Sequence, residues 1–461
     1  MTAVSTSTVA ERLADHIVGL RFEDLPDDVV EKTKDLLVNH MSLAFAGRST
    51  DDGQRALAFA HELSGDGGVA TVVGDRRRAR PVDAVFAHSG LISVAQWHDF
   101  VMPSGLHPGV VTHPAAWVFG EEQHRSGKEL LSAVVIGYDA GCKLADAVQG
   151  YQSYARRKGY TYGPICSAAT AARLLELDRR QVEDALGIAA HSGMGLVEGT
   201  DVTWYAYPLV ARAGATAALL ARAGARSAAT TIEGEHGFFV AFFDRVPDGL
   251  DASLATLGSD FAIAQASTKR YPSSGMNVIA IELMLDLARS GIREPDVAEL
   301  VACIPEQRRP RDSFFEALIE QPEPSRLHAQ GSLRFWLALI LADGGLDTAR
   351  FERVHDPAIQ AAFRKVRLQY EPGHDVDRYT RLEVTMRDGD RRVVEGQDEV
   401  YRKGDWRTLL RRDGERFLSN GRLDELERLL THLEDVRDVS DVLRCTVPDK
   451  DDPGSGRGDR S

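Results

Sequence analysis

The chain has 461 residues, 43% hydrophobic and 27% charged, and its 55 lysines and arginines are outnumbered by 69 aspartates and glutamates, for a formal charge of −14. That length exceeds what one hydrophobic core serves, so two domains are expected, and the acidic balance argues against a phosphate-backbone partner. With no apolar stretch long enough to span a bilayer, no recognisable secretory leader and no paired motif among Cys142, Cys166, Cys303 and Cys445, the expectation is a cytoplasmic protein with reduced, mostly buried thiols that binds neither nucleic acid nor membrane.

Thr8-Val9-Ala10-Glu11 is a capping box that opens an amphipathic helix with Val9, Leu13, Ile17 and Leu20 on one stripe. Leu25-Pro26 opens a second helix, which Gly47 is expected to stop, and a third covers residues 53–61. Residues 70–73 read as a short extended piece closed by Gly74, and residues 82–95 as a helix. The arginines at 76, 77, 78 and 80 read as a solvated turn.

Residues 96–111 are different: Trp97, His98, Asp99, Pro103, His107 and Pro108 make a polar, aromatic, aperiodic segment between apolar helices, where chemistry is commonly placed. Further alanine- and glycine-rich helices are predicted over 114–119, 127–148, 166–177, 180–191, 209–223 and 234–243, as suits a buried bundle. From about residue 269 the character shifts to α+β. Helices are predicted over 276–289, 314–320 and 332–341, with a strand over 297–304. Alternation over 380–386 and 391–395 around Asp388-Gly389-Asp390 gives a hairpin. Two helices over 406–417 and 422–432 follow, and residues 446–461 read as a disordered tail.

No phosphate-binding loop, dinucleotide fingerprint or nucleophile elbow is present, and Ser192 follows a helix rather than a strand. His98, Asp99 and His107 lack a fourth ligand nearby, so neither a metal centre nor a cofactor is expected.

Several segments, in order and spacing, resemble the MmgE/PrpD family, which includes 2-methylcitrate dehydratase, cis-aconitate decarboxylase and an iminodisuccinate epimerase. They are Leu25-Pro26 with Ala44-Phe45-Ala46-Gly47, Thr71-Val72-Val73-Gly74, residues 84–90, His107-Pro108-Gly109, Gly137-Tyr138-Asp139, Thr161-Tyr162-Gly163, residues 184–189, Glu233-Gly234 with Gly237-Phe238, and Lys269-Arg270-Tyr271-Pro272. The resemblance implies a mostly α fold: a large all-helical domain from residues 1–268 and 399–445, with a smaller α+β lid domain inserted at 269–398. It also implies a homodimer and a small carboxylate substrate.

The resemblance places His107 at the family's first catalytic histidine, Lys269 at its late lysine and Asp99 at one aspartate of its Asp-rich sequence. It also places Gln96, Phe100 and Arg157 where the family has aspartate, threonine and histidine, and leaves residues 203–207 without the early lysine. By residue type, His107 is the base, with His98 beside it in the same loop. Lys269 supplies fixed positive charge, Asp99 orients a histidine or acts as an acid, and Tyr205 or Tyr207 donates a proton. Arg157, Lys158, Gln96, Trp97, Thr161, Tyr205 and Arg270 are the expected substrate-binding residues, with Arg157 suited to a bidentate carboxylate contact. Trp97, Phe100, Trp204, Tyr205 and Tyr207 suggest a larger or flatter substrate than a tricarboxylate. The expected activity is a cofactor-independent lyase on a small carboxylate-bearing metabolite. The alternatives are an epimerase or isomerase working by proton abstraction beside a carboxylate, or a non-catalytic ligand-binding or scaffold member.

Overall fold

The computed structural model describes residues 7–102, 104–148, 158–193, 195, 203–269, 271–324, 326–346, 354–374, 379–397 and 406–448. The chain is mostly helical and divides into two compact units, Met1–Thr268 with Gly404–Ser461, and Lys269–Lys403.

The first unit begins with α1 (Val9–Gly19), where the Thr8 hydroxyl accepts from the Glu11 amide and the Glu11 carboxylate accepts from the Thr8 amide. Then come α2 (Asp27–Arg48), α3 (Asp51–Ser64), α4 (Pro81–Val94), the two-residue strand β1 (Phe100–Val101), α5 (Gly109–Glu122), α6 (Gly127–Asp146), α7 (Lys158–Leu174), α8 (Arg179–Ala190), α9 (Thr203–Arg222), α10 (Phe238–Phe243), α11 (Leu250–Leu254) and β2 (Ala266–Ser267). Helices α4 and α5 are buried on all sides, from Asp83 to Ser93 and from Gly109 to Glu121, so they form the middle of the bundle, with α9 packed against both and α7 against α5. Each fully buried Leu, Val or Phe contributes about 1.5–3 kcal/mol of burial free energy, which is why this all-round apolar pair organises the unit.

Three helices begin earlier than sequence patterning suggests, at Gly109, Lys158 and Thr203, because Pro114, Pro164 and Pro208 lie inside them. A proline removes one backbone donor and disfavours the helical conformation before it, but a bundle packed on all faces offsets one missing bond. Gly47 does not stop α2. It lies within the helix because a Cβ there would overlap the Leu91 carbonyl of α4. Helix α10 starts at Phe238 rather than near 234, since Thr230–Gly237 is taken up by turns such as Gly234 N–H to Thr230 O. The all-helical expectation also misses a short antiparallel ladder, Phe100 with Ser267 and Val101 with Ala266.

The second unit contains α12 (Val278–Arg289), β3 (Val297–Pro305), α13 (Arg309–Ile319), α14 (Arg326–Gly331), α15 (Leu333–Asp343), α16 (Pro357–Phe363), β4 (Val366–Glu371), β5 (Thr380–Met386) and β6 (Arg391–Gly396). Its sheet runs β4-β3-β5-β6, with β3 and β4 parallel and the other pairs antiparallel. Leu300, Ala302, Leu382 and Val384 bury one face under α12 and α15. Arg308 is fully buried, with its guanidinium donating to Asp312, the Met276 carbonyl and Asn277.

The chain returns to the first unit through α17 (Trp406–Gly414), α18 (Asn420–Thr431) and α19 (Ser440–Cys445). Thr446, read above as part of the tail, is buried, and its carbonyl accepts from the Gly74 amide; residues 449–461 lie outside the described residues. Cys142, Cys166 and Cys303 are buried free thiols and Cys445 is half-buried.

Candidate active site

The polar segment after α4 begins at Gln96, which has a left-handed backbone (φ 58°) and donates its side-chain amide to the Ser93 carbonyl at 2.9 Å. The turn redirects the chain into β1, and an antiparallel bridge between Val101 and Leu106 brings it back toward α5. The fold thus returns His107 to the residues just before β1. His107 is half-buried, and its Nδ1 lies 2.6 Å from the Asp99 main-chain oxygen. A carbonyl only accepts, so Nδ1 carries the proton and Nε2 of the neutral ring carries the lone pair.

Rings surround that imidazole. His98 meets it edge-on at 4.6 Å between centroids, Tyr207 at 6.2 Å and Phe100 at 6.4 Å. His98 also faces Tyr207 at 5.6 Å, and Tyr160 of α7 stacks edge-on against Tyr207 at 4.6 Å. Gly159 makes this approach possible, since a Cβ there would lie 2.5 Å from the Tyr207 hydroxyl.

Beneath this cluster the Asp99 side chain is fully buried. Its Oδ2 accepts from the Tyr138 hydroxyl at 2.7 Å, and its Oδ1 accepts from the Gly109 amide at 3.2 Å. His40 Nε2 lies 3.1 Å from Oδ1, close to it but not aligned as a hydrogen bond. His40 in turn stacks edge-on against His113 at 4.3 Å. Burial first, and the neighbouring His40 second, hold His113 well below the usual imidazole range, so it is neutral. Burial and the Asp99 charge push Tyr138 well above the usual phenol range, which keeps its hydroxyl protonated and donating.

Of the sequence-predicted residues, the structure therefore gathers His107, His98, Asp99 and Tyr207. Gln96 shapes the start of the segment. Trp97 is half-buried, with the Arg412 guanidinium of α17 at 6.0 Å from its ring centre. Thr161 is buried on α7, and Tyr205 is half-buried on α9. Lys269 is buried at the start of the second unit. Lys158 opens α7, but its side chain, with Arg157 and Arg270, lies outside the described residues. Sequence reasoning missed His40, His113, Tyr160 and Arg412. The first two sit among buried positions of their helices with nothing local to mark them, while Tyr138 fell inside a segment singled out for its resemblance.

Residues 11–249, more than half of the chain, match the family model described as the MmgE/PrpD N-terminal domain. The chain is 27% identical over 300 residues to the cis-aconitate decarboxylase-like protein oryM of Aspergillus oryzae, a match covering 61% of this chain and 62% of that protein. It is 23% identical over 482 residues to a cis-aconitate decarboxylase of Aspergillus terreus (96% and 97% covered) and 25% identical over 468 residues to that of Homo sapiens (94% and 93%). The chain belongs to the MmgE/PrpD family.

Proposed function

We propose that this chain is a cofactor-independent lyase acting on a small carboxylate-bearing metabolite, by dehydration or decarboxylation, with His107 as the proton-transfer group. The observation that carries this reading is the anchoring of His107: Nδ1 is tied to the Asp99 carbonyl at 2.6 Å, so Nε2 is the nitrogen that takes or gives a proton. The similarity to cis-aconitate decarboxylases supports the lyase class. In a dehydration, Nε2 removes a proton beside a carboxylate, the resulting electron pair forms the double bond, and hydroxide leaves with a proton from a second acid. In a decarboxylation, the carbon–carbon pair stays on the substrate as carbon dioxide departs, and the carbanion is quenched by the Nε2 proton of the imidazolium form of His107, a proton taken up from solvent water before the step and replaced from it afterwards. To Tyr207, with its ring at 6.2 Å from His107, the proposal gives the second acid; to Lys269 it gives the fixed positive charge that steadies the carbanion. The residues that replace the family's polar pattern, Gln96 and Phe100 among them, together with the tyrosines near His107, support a substrate flatter or less charged than a tricarboxylate.

The test incubates the protein in deuterated water with cis-aconitate, 2-methylcitrate and a panel of aryl- and alkyl-substituted dicarboxylates, followed by NMR. Loss of water or carbon dioxide is expected, and His107→Gln is expected to lower turnover by about 10²-fold or more; full activity in that variant overturns the assignment. A second reading, epimerisation, is favoured by the nearness of two groups able to exchange protons, His107 and Tyr207, whose ring centroids lie 6.2 Å apart. An intact carbon skeleton with one hydrogen exchanged for deuterium would select it.

A further inference from the structure

We infer that Tyr138 and His40 are positioning residues for His107, acting through Asp99. The inference rests on the reading of His107 as the proton-transfer group and adds the device that sets its tautomer and direction.

Asp99 has two jobs in the structure. Its main-chain oxygen takes the His107 Nδ1 proton, and its carboxylate is pinned from three helices: Tyr138 of α6 at 2.7 Å, the Gly109 amide opening α5 at 3.2 Å, and His40 of α2 at 3.1 Å. Asp99, Tyr138, Gly109 and His40 are buried. The α5 amide end adds a favourable dipole to a buried anion. His40 Nδ1 lies 2.8 Å from the Leu36 carbonyl, which only accepts, so that nitrogen carries a proton. Its Nε2 therefore faces Asp99 Oδ1 at 3.1 Å from the α2 side. His113, neutral and 3.4 Å from the Tyr138 oxygen, closes the far side.

A surface aspartate needs none of this. The arrangement fixes the plane and position of residue 99, hence of the carbonyl that fixes His107. Removing the Tyr138 hydroxyl leaves the carboxylate one donor short and lets it rotate toward His40. The carbonyl turns with it, and the His107 ring loses both its tautomer lock and its aim. Misplacing a reacting group by about 1 Å is enough to cost up to ~10²-fold in rate.

The test compares Tyr138→Phe, His40→Leu, His40→Gln and His107→Gln in the full chain. Two readouts are used: kcat and KM on whichever panel carboxylate is turned over, and the rate at which diethyl pyrocarbonate acylates His107, followed by peptide mass spectrometry without substrate. Tyr138→Phe and His40→Leu are expected to lower kcat about tenfold or more, with KM changed less than about twofold, and to change the His107 acylation rate at least about threefold. His40→Gln, which keeps a polar side chain facing Asp99, is expected to recover much of both. A purely structural role would lower the unfolding temperature and the folded yield but leave kcat per folded molecule and the acylation rate at wild-type values, and that result overturns the inference. If Tyr138→Phe does not fold, the two His40 variants decide by the same criteria. Full activity in His107→Gln would instead defeat the underlying assignment, whatever the Tyr138 variant does, because the acylation readout does not depend on turnover.

Discussion

Gly109→Ala tests the core beneath the site with a change of one methyl group. A Cβ at residue 109 would lie 2.5 Å from His40 Cε1 and 2.7 Å from both Asp99 Oδ1 and His40 Nε2, inside van der Waals contact with two neighbours. Neither neighbour can swing away freely, since Leu36 holds His40 and Tyr138 holds Asp99. In an unobstructed helix the same substitution stabilises a protein by about 0.4–1 kcal/mol, through the unfolded chain. Overpacking a buried position costs about 1–3 kcal/mol, so the expected net is a destabilisation of ~1–2 kcal/mol. Gly421, exposed in α18 with nothing within 4 Å of its would-be Cβ, is the control, and Gly421→Ala is expected to shift stability the opposite way. Urea unfolding followed by tryptophan fluorescence, with circular dichroism as a second probe, reads both. A Gly109→Ala midpoint at or above wild type would refute the claim that residue 109 is the point where α5 closes on the His40–Asp99 pair.

Two pH-dependent stabilities follow from half-buried carboxyl groups. Burial pushes Asp75 up, but the His61 hydrogen bond, the Arg48 charge and the Arg77 amide outweigh it and bring the group to about 2. Because the folded value is depressed, the contribution of about 2 kcal/mol is present above the ordinary carboxylate range and lost as pH falls from 4 toward 2. Asp75→Asn is expected to lose most of its deficit over that window, and a deficit unchanged down to pH 2 would contradict the assignment. Glu316 shows the opposite sign: burial raises it to about 7, against the Ser332 hydroxyl, the Arg334 charge and the Arg334 amide. Its stabilising form is therefore the neutral acid, and stability is lost as pH rises from about 4.5 through 7, by ~3 kcal/mol. Glu316→Gln is expected to flatten that slope in unfolding curves between pH 5 and 8; a wild-type slope in the variant would show that another group is responsible.

Reading order from sequence worked where a pattern is local. The β5–β6 hairpin was legible because Leu382, Val384 and Met386 alternate up to an Asp-Gly-Asp turn, and the α1 cap because both of its partners lie within four residues. Strand β4 escaped because Val366–Glu371 is only half-covered and has no turn signal before it; it gains its place from parallel pairing with β3, more than sixty residues earlier in the chain. The site divides the same way. His107 and Asp99 stood out in an aperiodic segment, whereas His40 and Tyr138 sit among buried positions of helices that only tertiary packing brings to Asp99.

The three interior prolines acquire a meaning from where they sit. Pro114, Pro164 and Pro208 each fall six or seven residues into a helix, and the chain just ahead of them carries His107, Tyr160 and Tyr207. A pyrrolidine ring withholds the amide that would tie the first turn to the rest of the rod. On the proposed function, the reacting groups His107 and Tyr207 are thereby mounted at the leading ends of helices, while the shafts behind them hold the bundle together. Such a division lets a lineage exchange reacting groups one tip at a time and keep its scaffold, which is how one architecture can come to serve eliminations of different kinds.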